Sequence, residues 1–144
     1  MRSYRKSSHS VYDLKVHLVW ITKYRYAVLT KEVGLRTREI IRQICAQNDI
    51  TIIRGVVSKD HVHLYISYPP KLSVSEMVKW FKGRSSRKLQ DEFPQLGKTY
   101  WGKHFWAIGY AAFSSGHVTD EMIQEYLAHH EDHPNHNDDE FTVE

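Results

Sequence analysis

Two histidines flank a valine in a short alternating run, at His61, Val62 and His63. The run 61–68 is rich in β-branched and aromatic residues, which predicts a strand. Side chains two residues apart in a strand share a face, so both imidazoles are expected to point the same way. Two neutral imidazoles side by side can chelate one divalent cation, whereas ordinary polar-face histidines are the competing interpretation. Asp60, directly before the pair, is expected chiefly as a turn residue, and a carboxylate behind an imidazole is its alternative role.

A tyrosine and a histidine share one face of a predicted helix near the end of the chain. Tyr126 and His130 lie four residues apart, and residues at that spacing project together. A phenol with a pKa of about 10 is a poor nucleophile at neutral pH, but a metal that polarises a phosphodiester assists its attack. His129 and His133 form a second pair at the same spacing. A packing tyrosine and a solvated His-rich end are the competing interpretations.

A helix predicted from Ser73 to about residue 93 carries a strip of positive charge. Basic side chains and small hydroxyl groups suit a nucleic-acid backbone, and aromatic side chains suit unpaired bases. The candidate nucleic-acid contacts on this helix, which become DNA contacts under the resemblance described below, are Lys79, Lys82, Arg84, Ser85, Arg87 and Lys88, and a basic segment after the first strand adds Lys23 and Arg25. An amphipathic helix with core aromatics and solvated charges is the competing interpretation.

The charge of the chain is unevenly distributed. All Lys and Arg residues lie within residues 1–103, which carry a balance of +12, and the remainder carries −9. A body this basic indicates a polyanionic partner, with nucleic acid the first choice. A lopsided solvated surface is the alternative.

The length and composition predict one domain with its own core. The chain has 144 residues, of which 41% are hydrophobic and 12% aromatic. It has no apolar run near the ~20 residues that span a bilayer and no apolar stretch typical of a secretory signal at its start. A single cysteine, Cys45, excludes an internal disulfide and zinc frameworks built on several cysteines. We therefore expect a cytoplasmic protein with no membrane partner, comprising a flexible basic arm (1–10), one domain (11–133) and an acidic tail (134–144).

Hydrophobic periodicity predicts the order of the elements. The predicted strands cover about 11–22, 50–57, 61–68 and 105–113, and the predicted helices about 31–47, 73–93 and 119–130. The order β-α-β-β-α-β predicts an α+β, ferredoxin-like antiparallel sheet with helices on one face. The additional C-terminal helix carries Tyr126.

The motifs together resemble one family. The chain is similar to the TnpA-type transposases of the insertion sequence 200/605 group, single-tyrosine members of the HUH nuclease superfamily, over roughly residues 10–133. The matching motifs are K-D-H-V-H-L at 59–64, V-K-W-F-K-G-R-S-S-R-K-L at 78–89, T-K-Y-R-Y-A-V-L at 22–29 and W-A-I-G-Y at 106–110. Tyr126 lies where the family has its nucleophile.

The resemblance implies a reaction and a site. Tyr126 would attack single-stranded DNA at hairpin-bearing element ends and form a 5′-phosphotyrosine, which another strand's 3′-hydroxyl resolves. His61, His63 and His130 would bind Mg²⁺ or Mn²⁺. The family commonly has Gln where this chain has His130, and three nitrogen ligands favour Mn²⁺, Co²⁺ or Zn²⁺ over Mg²⁺. Family members act as homodimers, in which the tyrosine helix of one subunit can complete the other's site.

Three other readings fit part of the same pattern. A domesticated relative would process repeated palindromes by identical chemistry. A non-enzymatic RNA- or DNA-binding module would use the same sheet without cutting. A decayed transposase would bind hairpins and leave them intact.

Overall fold

The centre of the molecule is a four-stranded antiparallel sheet. The computed structural model describes residues 4–6, 9–99, 104–114 and 120–128. The strands are β1 (Arg5–Lys6), β2 (Val11–Tyr12), β3 (Lys15–Ile21), β4 (Thr51–Val57), β5 (His61–Ser67) and β6 (Ala111–Phe113). The sheet has the order β4-β5-β3-β6, and β1 pairs with β2 in a separate small hairpin.

Over the described residues, four α-helices accompany the strands: α1 (Lys31–Gln47), α2 (Val74–Glu92), α3 (Leu96–Thr99) and α4 (Asp120–Ala128). The order β3-α1-β4-β5-α2-β6 confirms the predicted α+β, ferredoxin-like arrangement. The predicted extents of α1 and α2 agree with the structure to within a residue or so. Ser73 caps α2: its Oγ accepts a hydrogen bond from the backbone N–H of Glu76.

The first of the two sheet faces, here called the helix face, carries α1 and α2. Strand alternation turns the apolar side chains of β3 and β5 toward these helices, and the indole of Trp20 stacks on Phe81 with ring centroids 5.7 Å apart. Burying a side chain of this size stabilises the fold by about 1.5–3 kcal/mol. The helix face therefore contains the main core.

The opposite face, here called the histidine face, carries α4. Val19 and Ile21 of β3 form a second, smaller core cluster with Ile123 and Leu127 of α4. The helix that bears Tyr126 thus packs on the sheet of its own chain, on the side away from α1 and α2.

The predicted strand over 105–113 is wrong for most of its length. Trp106 makes one isolated bridge to Thr22, and regular pairing begins only at β6. Between them, Gly109 adopts a φ of +92°, a conformation that only glycine adopts without strain, and Ile108 is 96% exposed. The chain therefore leaves the sheet edge before rejoining it.

One further expectation needs correction near the N-terminus. The predicted strand over 11–22 is divided into β2 and β3. Arg5 lies in β1, and its guanidinium donates to the carbonyl oxygens of Ser67 and Asp49; the flexibility of the arm 1–10 stays a prediction. Across the described ranges, no helix has the length and apolar character needed to cross a membrane. The acidic tail lies outside the described residues.

Candidate active site

Strand β5 places the two histidines of the H-V-H motif on the histidine face. Val62 belongs to the core on the helix face, whereas His63 contacts a side chain of β3 on the opposite side. His61 is fully buried and His63 is half-buried. The predicted common orientation of the two imidazoles is consistent with this alternation.

The carboxylate of Asp60 determines which nitrogen of His61 is available to a cation. Asp60 Oδ1 lies 2.8 Å from His61 Nδ1, and both residues are fully buried. With Asp60 ionised, Nδ1 must donate its hydrogen, so Nε2 carries the lone pair that a metal requires. Metal-binding histidines usually make this kind of bond. Asp60 lies in the bend between β4 and β5, as expected of a turn residue, and its carboxylate also stands behind the imidazole of His61, which was its alternative role.

A third imidazole adjoins this pair. His17 of β3 places its Nδ1 3.0 Å from His63 Nε2, and its ring stacks on Tyr65 with a centroid distance of 3.9 Å. Sequence reasoning missed His17, although a histidine inside an otherwise apolar strand was a signal. Its proximity to His63 depends on the pairing of β3 with β5, which no local pattern specifies.

Burial and nearby charge disfavour the protonated forms of His63 and His17. Desolvation, followed by the charges of His17, His61 and Arg54, lowers the pKa of His63 to about 4. The pKa of His17 is also lowered, by burial and then by Arg54. A metal ligand must be a neutral imidazole, and His63 meets that condition at pH 7.

Arg54 is a second residue that sequence reasoning missed. It is exposed on β4 and pairs with Tyr65, so its side chain lies beside the histidines. The register shift between Ile52 and Arg54 sets the alternation that turns Arg54 to the histidine face. Strand pattern alone gives no signal for such a bulge.

Tyr126 packs on the same face through α4. Its helix rests on Val19 and Ile21, which are the cross-strand neighbours of His63 and His61. The phenol oxygen is buried, and burial raises the pKa of Tyr126 to about 12. Tyr126 is therefore protonated at neutral pH.

A cleft of about 300 Å³ borders α4. It is lined by Phe113, Met122, Glu125 and Tyr126. This volume lies at the lower end of small-ligand sites. The cleft gives Tyr126 one open side next to the sheet edge.

The third predicted metal ligand, His130, lies outside the described residues. Within the ranges that are described, no three His, Cys, Asp or Glu side chains converge as a metal-binding group. The helix of Tyr126 packs on the sheet of its own chain.

The predicted DNA contacts on α2 do not share the histidine face. Helix α2 packs on the helix face, so its basic strip lies on the other side of the sheet from His61 and His63. Lys79 and Arg87 are exposed. The half-buried members of the set are Lys23, Lys82, Arg84 and Lys88.

Two predicted DNA contacts are buried and bind protein groups, so their positions do not support that role. Ser85 is fully buried; its hydroxyl donates to the carbonyl oxygen of Phe81 and accepts from Trp106 Nε1. Arg25 is 5% exposed and its guanidinium bonds within the protein. Lys82 Nζ donates to the carbonyl oxygens of Ala107 and Gly109, which ties α2 to the segment before β6.

Residues 10–130 match the family model described as "Transposase IS200 like". This chain belongs to the IS200-like transposase family. The transposase is 37% identical over 123 residues to the ISDra2 transposase TnpA of Deinococcus radiodurans, which covers 85% of this chain and 88% of the relative. It is 32% identical over 122 residues to the transposase for insertion sequence element IS200 of Salmonella typhimurium, over 85% of this chain and 80% of the relative.

Solved structures show the same fold as this transposase. The crystal structure of a candidate transposase from Deinococcus radiodurans superposes with a TM-score of 0.81 and 34% identity, over 88% of this chain and 97% of that one. A REP-associated tyrosine transposase bound to a REP hairpin gives a TM-score of 0.55 at 14% identity, over 90% of this chain and 68% of that one. The second likeness concerns the fold alone.

Proposed function

We propose that this transposase cuts and rejoins single-stranded DNA at hairpin-bearing element ends, with Tyr126 as the nucleophile. The observation that carries the proposal is the shared face of the sheet: α4 packs Tyr126 against the strand residues that pair with His61 and His63. A phenol and an imidazole pair on one surface form the minimum set for metal-assisted attack on a phosphodiester.

Each step of the proposed reaction exchanges one phosphoester bond for another. The Tyr126 oxygen attacks phosphorus and loses its proton to solvent or a nearby base. The bond to the 3′-oxygen breaks, and that oxygen takes up a proton from solvent, so the departing strand ends in a 3′-hydroxyl and the product is a 5′-phosphotyrosine. The 3′-hydroxyl of another strand then attacks that phosphorus and gives up its proton, and Tyr126 leaves and is protonated again, so no nucleotide cofactor is needed.

The raised pKa of Tyr126 defines what the site must supply. A phenol with a pKa of about 12 needs either proton removal or a strongly activated phosphorus. His61 and His63, together with His130, would hold a divalent cation, Mg²⁺ or Mn²⁺, and Zn²⁺ or Co²⁺ also suits nitrogen ligands. When bound, the cation supplies Lewis-acid activation of the phosphodiester. Asp60 keeps His61 in the tautomer that such binding requires.

Exposed positive charge supports a nucleic-acid partner. Arg54 lies beside the histidines, and the exposed Lys79 and Arg87 are available to phosphates on the helix face. The solved REP-associated tyrosine transposase of the same fold is bound to a REP hairpin, and hairpin DNA is the class of substrate that we propose for this chain. We also propose that the protein acts as a homodimer, in which α4 serves either the site of its own subunit or that of the partner.

The test is a cleavage assay on single-stranded oligonucleotides that carry the palindromes flanking the gene. Wild-type protein and Tyr126→Phe are incubated with Mn²⁺, Mg²⁺ or EDTA, and covalent adducts are resolved by denaturing electrophoresis. We expect a metal-dependent adduct with wild type and none with Tyr126→Phe. The variant should retain hairpin affinity, because it loses only the hydroxyl.

Two results would contradict the proposal. An adduct that persists in Tyr126→Phe would place the nucleophile elsewhere. Tight hairpin binding with no adduct under any metal would favour a non-enzymatic or decayed binding module, and His130→Gln would then show whether the family's usual ligand restores cutting.

A further inference from the structure

A buried arginine links the tyrosine helix to the histidine pair. Arg25 Nη1 donates to the carbonyl oxygen of Leu127, the residue after Tyr126, at 3.0 Å. Its Nε lies 3.6 Å from Asp60 Oδ2. The other oxygen of that carboxylate binds His61 Nδ1 at 2.8 Å.

Because these contacts are buried, Arg25 depends on protein acceptors for its hydrogen bonds. Arg25 is 5% exposed, and Asp60, His61 and Leu127 are fully or almost fully buried. A buried guanidinium needs acceptors with good geometry, because water does not replace them. The Leu127 carbonyl provides one only while α4 lies on the histidine face.

The local backbone is bent to place this side chain. Tyr24 and Arg25 both have positive φ values, 59° and 54°. Two successive non-glycine residues in this region store strain, which persists only where surrounding contacts enforce it. The backbone N–H of Arg25 donates to the carbonyl oxygen of Thr22. The backbone N–H of Thr22 in turn donates to the carbonyl oxygen of Asp60. The turn is thus anchored to the residue that orients His61.

We propose that Arg25 is a positioning residue that fixes the tyrosine helix on the histidine face and couples its docking to the orientation of His61. The positive charge of the Arg25 guanidinium also complements the dipole of α4, because the carbonyl groups of α4 point toward the C-terminal end of the helix, where Leu127 lies. The effect of Arg25 on catalysis rests on the proposed function, in which Tyr126 is the nucleophile. The docking itself is independent of that role.

The test uses hydrogen exchange of the full-length protein, measured separately for α4 and for α1. Arg25→Met removes the charge and keeps the length, and Arg25→Gly removes the side chain but tolerates the positive φ. Arg36→Met is the matched control, because Arg36 forms a two-hydrogen-bond pair with Glu92 between α1 and α2, away from α4. We expect exchange in α4 to rise at least tenfold in both Arg25 variants, with α1 unchanged, and no such rise in Arg36→Met.

The second readout separates positioning from binding. With saturating hairpin DNA and Mn²⁺, the rate of adduct formation should fall at least tenfold in Arg25→Gly, while hairpin affinity changes less than twofold. Unchanged protection of α4 in both variants would overturn the proposal. An adduct rate that rises would also overturn it, because docking would then restrain the nucleophile.

The two proposals fail in different ways. If wild type forms no adduct under any metal, the proposed function fails, and hydrogen exchange still tests the docking. If wild type forms the adduct and Arg25→Gly retains both protection and rate, only the inference about Arg25 fails.

Discussion

His17 Nδ1 lies 3.0 Å from His63 Nε2, so these two imidazoles from neighbouring strands share one hydrogen bond. The bond occupies the nitrogen through which His63 would bind a cation on this face. Metal binding at that atom must displace His17, unless His17 itself becomes a ligand. The contact therefore makes the metal affinity of His63 depend on a residue outside the H-V-H motif.

Replacing His17 tests this competition. His17→Phe keeps a ring to stack on Tyr65 and removes the nitrogen. One lost hydrogen bond of about 1 kcal/mol should tighten Mn²⁺ binding by about fivefold. Isothermal titration calorimetry measures the affinity, with Tyr65→Phe as the control that leaves His17 in place. Binding weakened tenfold or more would instead identify His17 as a ligand.

The low pKa of His63 predicts how stability varies with pH. The folded side chain titrates near pH 4 and the unfolded one near 6.5, so the unfolded chain binds more protons between these values. The free energy of unfolding should therefore rise with pH across that window, and this contribution should level off above it. His17 adds to the same trend, because its pKa is also lowered.

Urea unfolding in EDTA from pH 4.5 to 7.5 measures the dependence. His63→Gln should have a shallower rise than wild type, and the exposed His9→Gln should match wild type. Equal slopes for His63→Gln and wild type would show that His63 is not held neutral by the fold.

Ser85 should matter for stability rather than for DNA affinity. Ser85→Ala leaves the buried N–H of Trp106 without its acceptor, which costs about 1–3 kcal/mol of unfolding free energy. Hairpin affinity of the folded variant should stay within twofold of wild type. Ser86→Ala, one residue along α2, is the control. A tenfold loss of affinity at unchanged stability would restore Ser85 as a DNA contact.

Arg54 should contribute to DNA binding from the histidine face. Arg54→Gln removes one exposed positive charge beside His63. If that charge contacts a phosphate, the slope of a plot of the logarithm of DNA affinity against the logarithm of salt concentration should decrease in magnitude by about one. Fluorescence anisotropy at several salt concentrations measures it. Arg36→Gln, on the helix-face side, should leave the slope unchanged. A slope equal to wild type in Arg54→Gln would exclude the contact.

Two helix glycines should respond in opposite ways to alanine. A Cβ at Gly34 would lie 2.9 Å from the carbonyl oxygen of Leu29, so Gly34→Ala should lower the free energy of unfolding by about 1–3 kcal/mol despite better helix propensity. A Cβ at Gly83 meets nothing within 4 Å, so Gly83→Ala should raise it by about 0.5–1 kcal/mol. Thermal melts of both variants measure this, and equal shifts would contradict the steric argument.

Local periodicity predicted much of the fold because it records which face of an element is apolar. The bounds of α1 and α2 follow from helical spacing and from the Ser73 cap. The strand over 105–113 was wrong, since an apolar composition does not reveal that Gly109 turns the chain away from the sheet. The composition of a segment indicates how readily it can form a strand. Whether it joins a sheet depends on a neighbouring strand in register with it.

The sequence by itself determined the family, the order of elements and the common face of His61 and His63, because these depend on motifs and on alternation within single segments. Only the tertiary structure decided the partners of those residues. Asp60 binds His61, His17 binds His63, and Arg25 turns inward to the helix of Tyr126 instead of outward to DNA. The last two contacts join residues 46 and 102 positions apart in the chain. Strand register and helix docking create such contacts, and no local pattern encodes them.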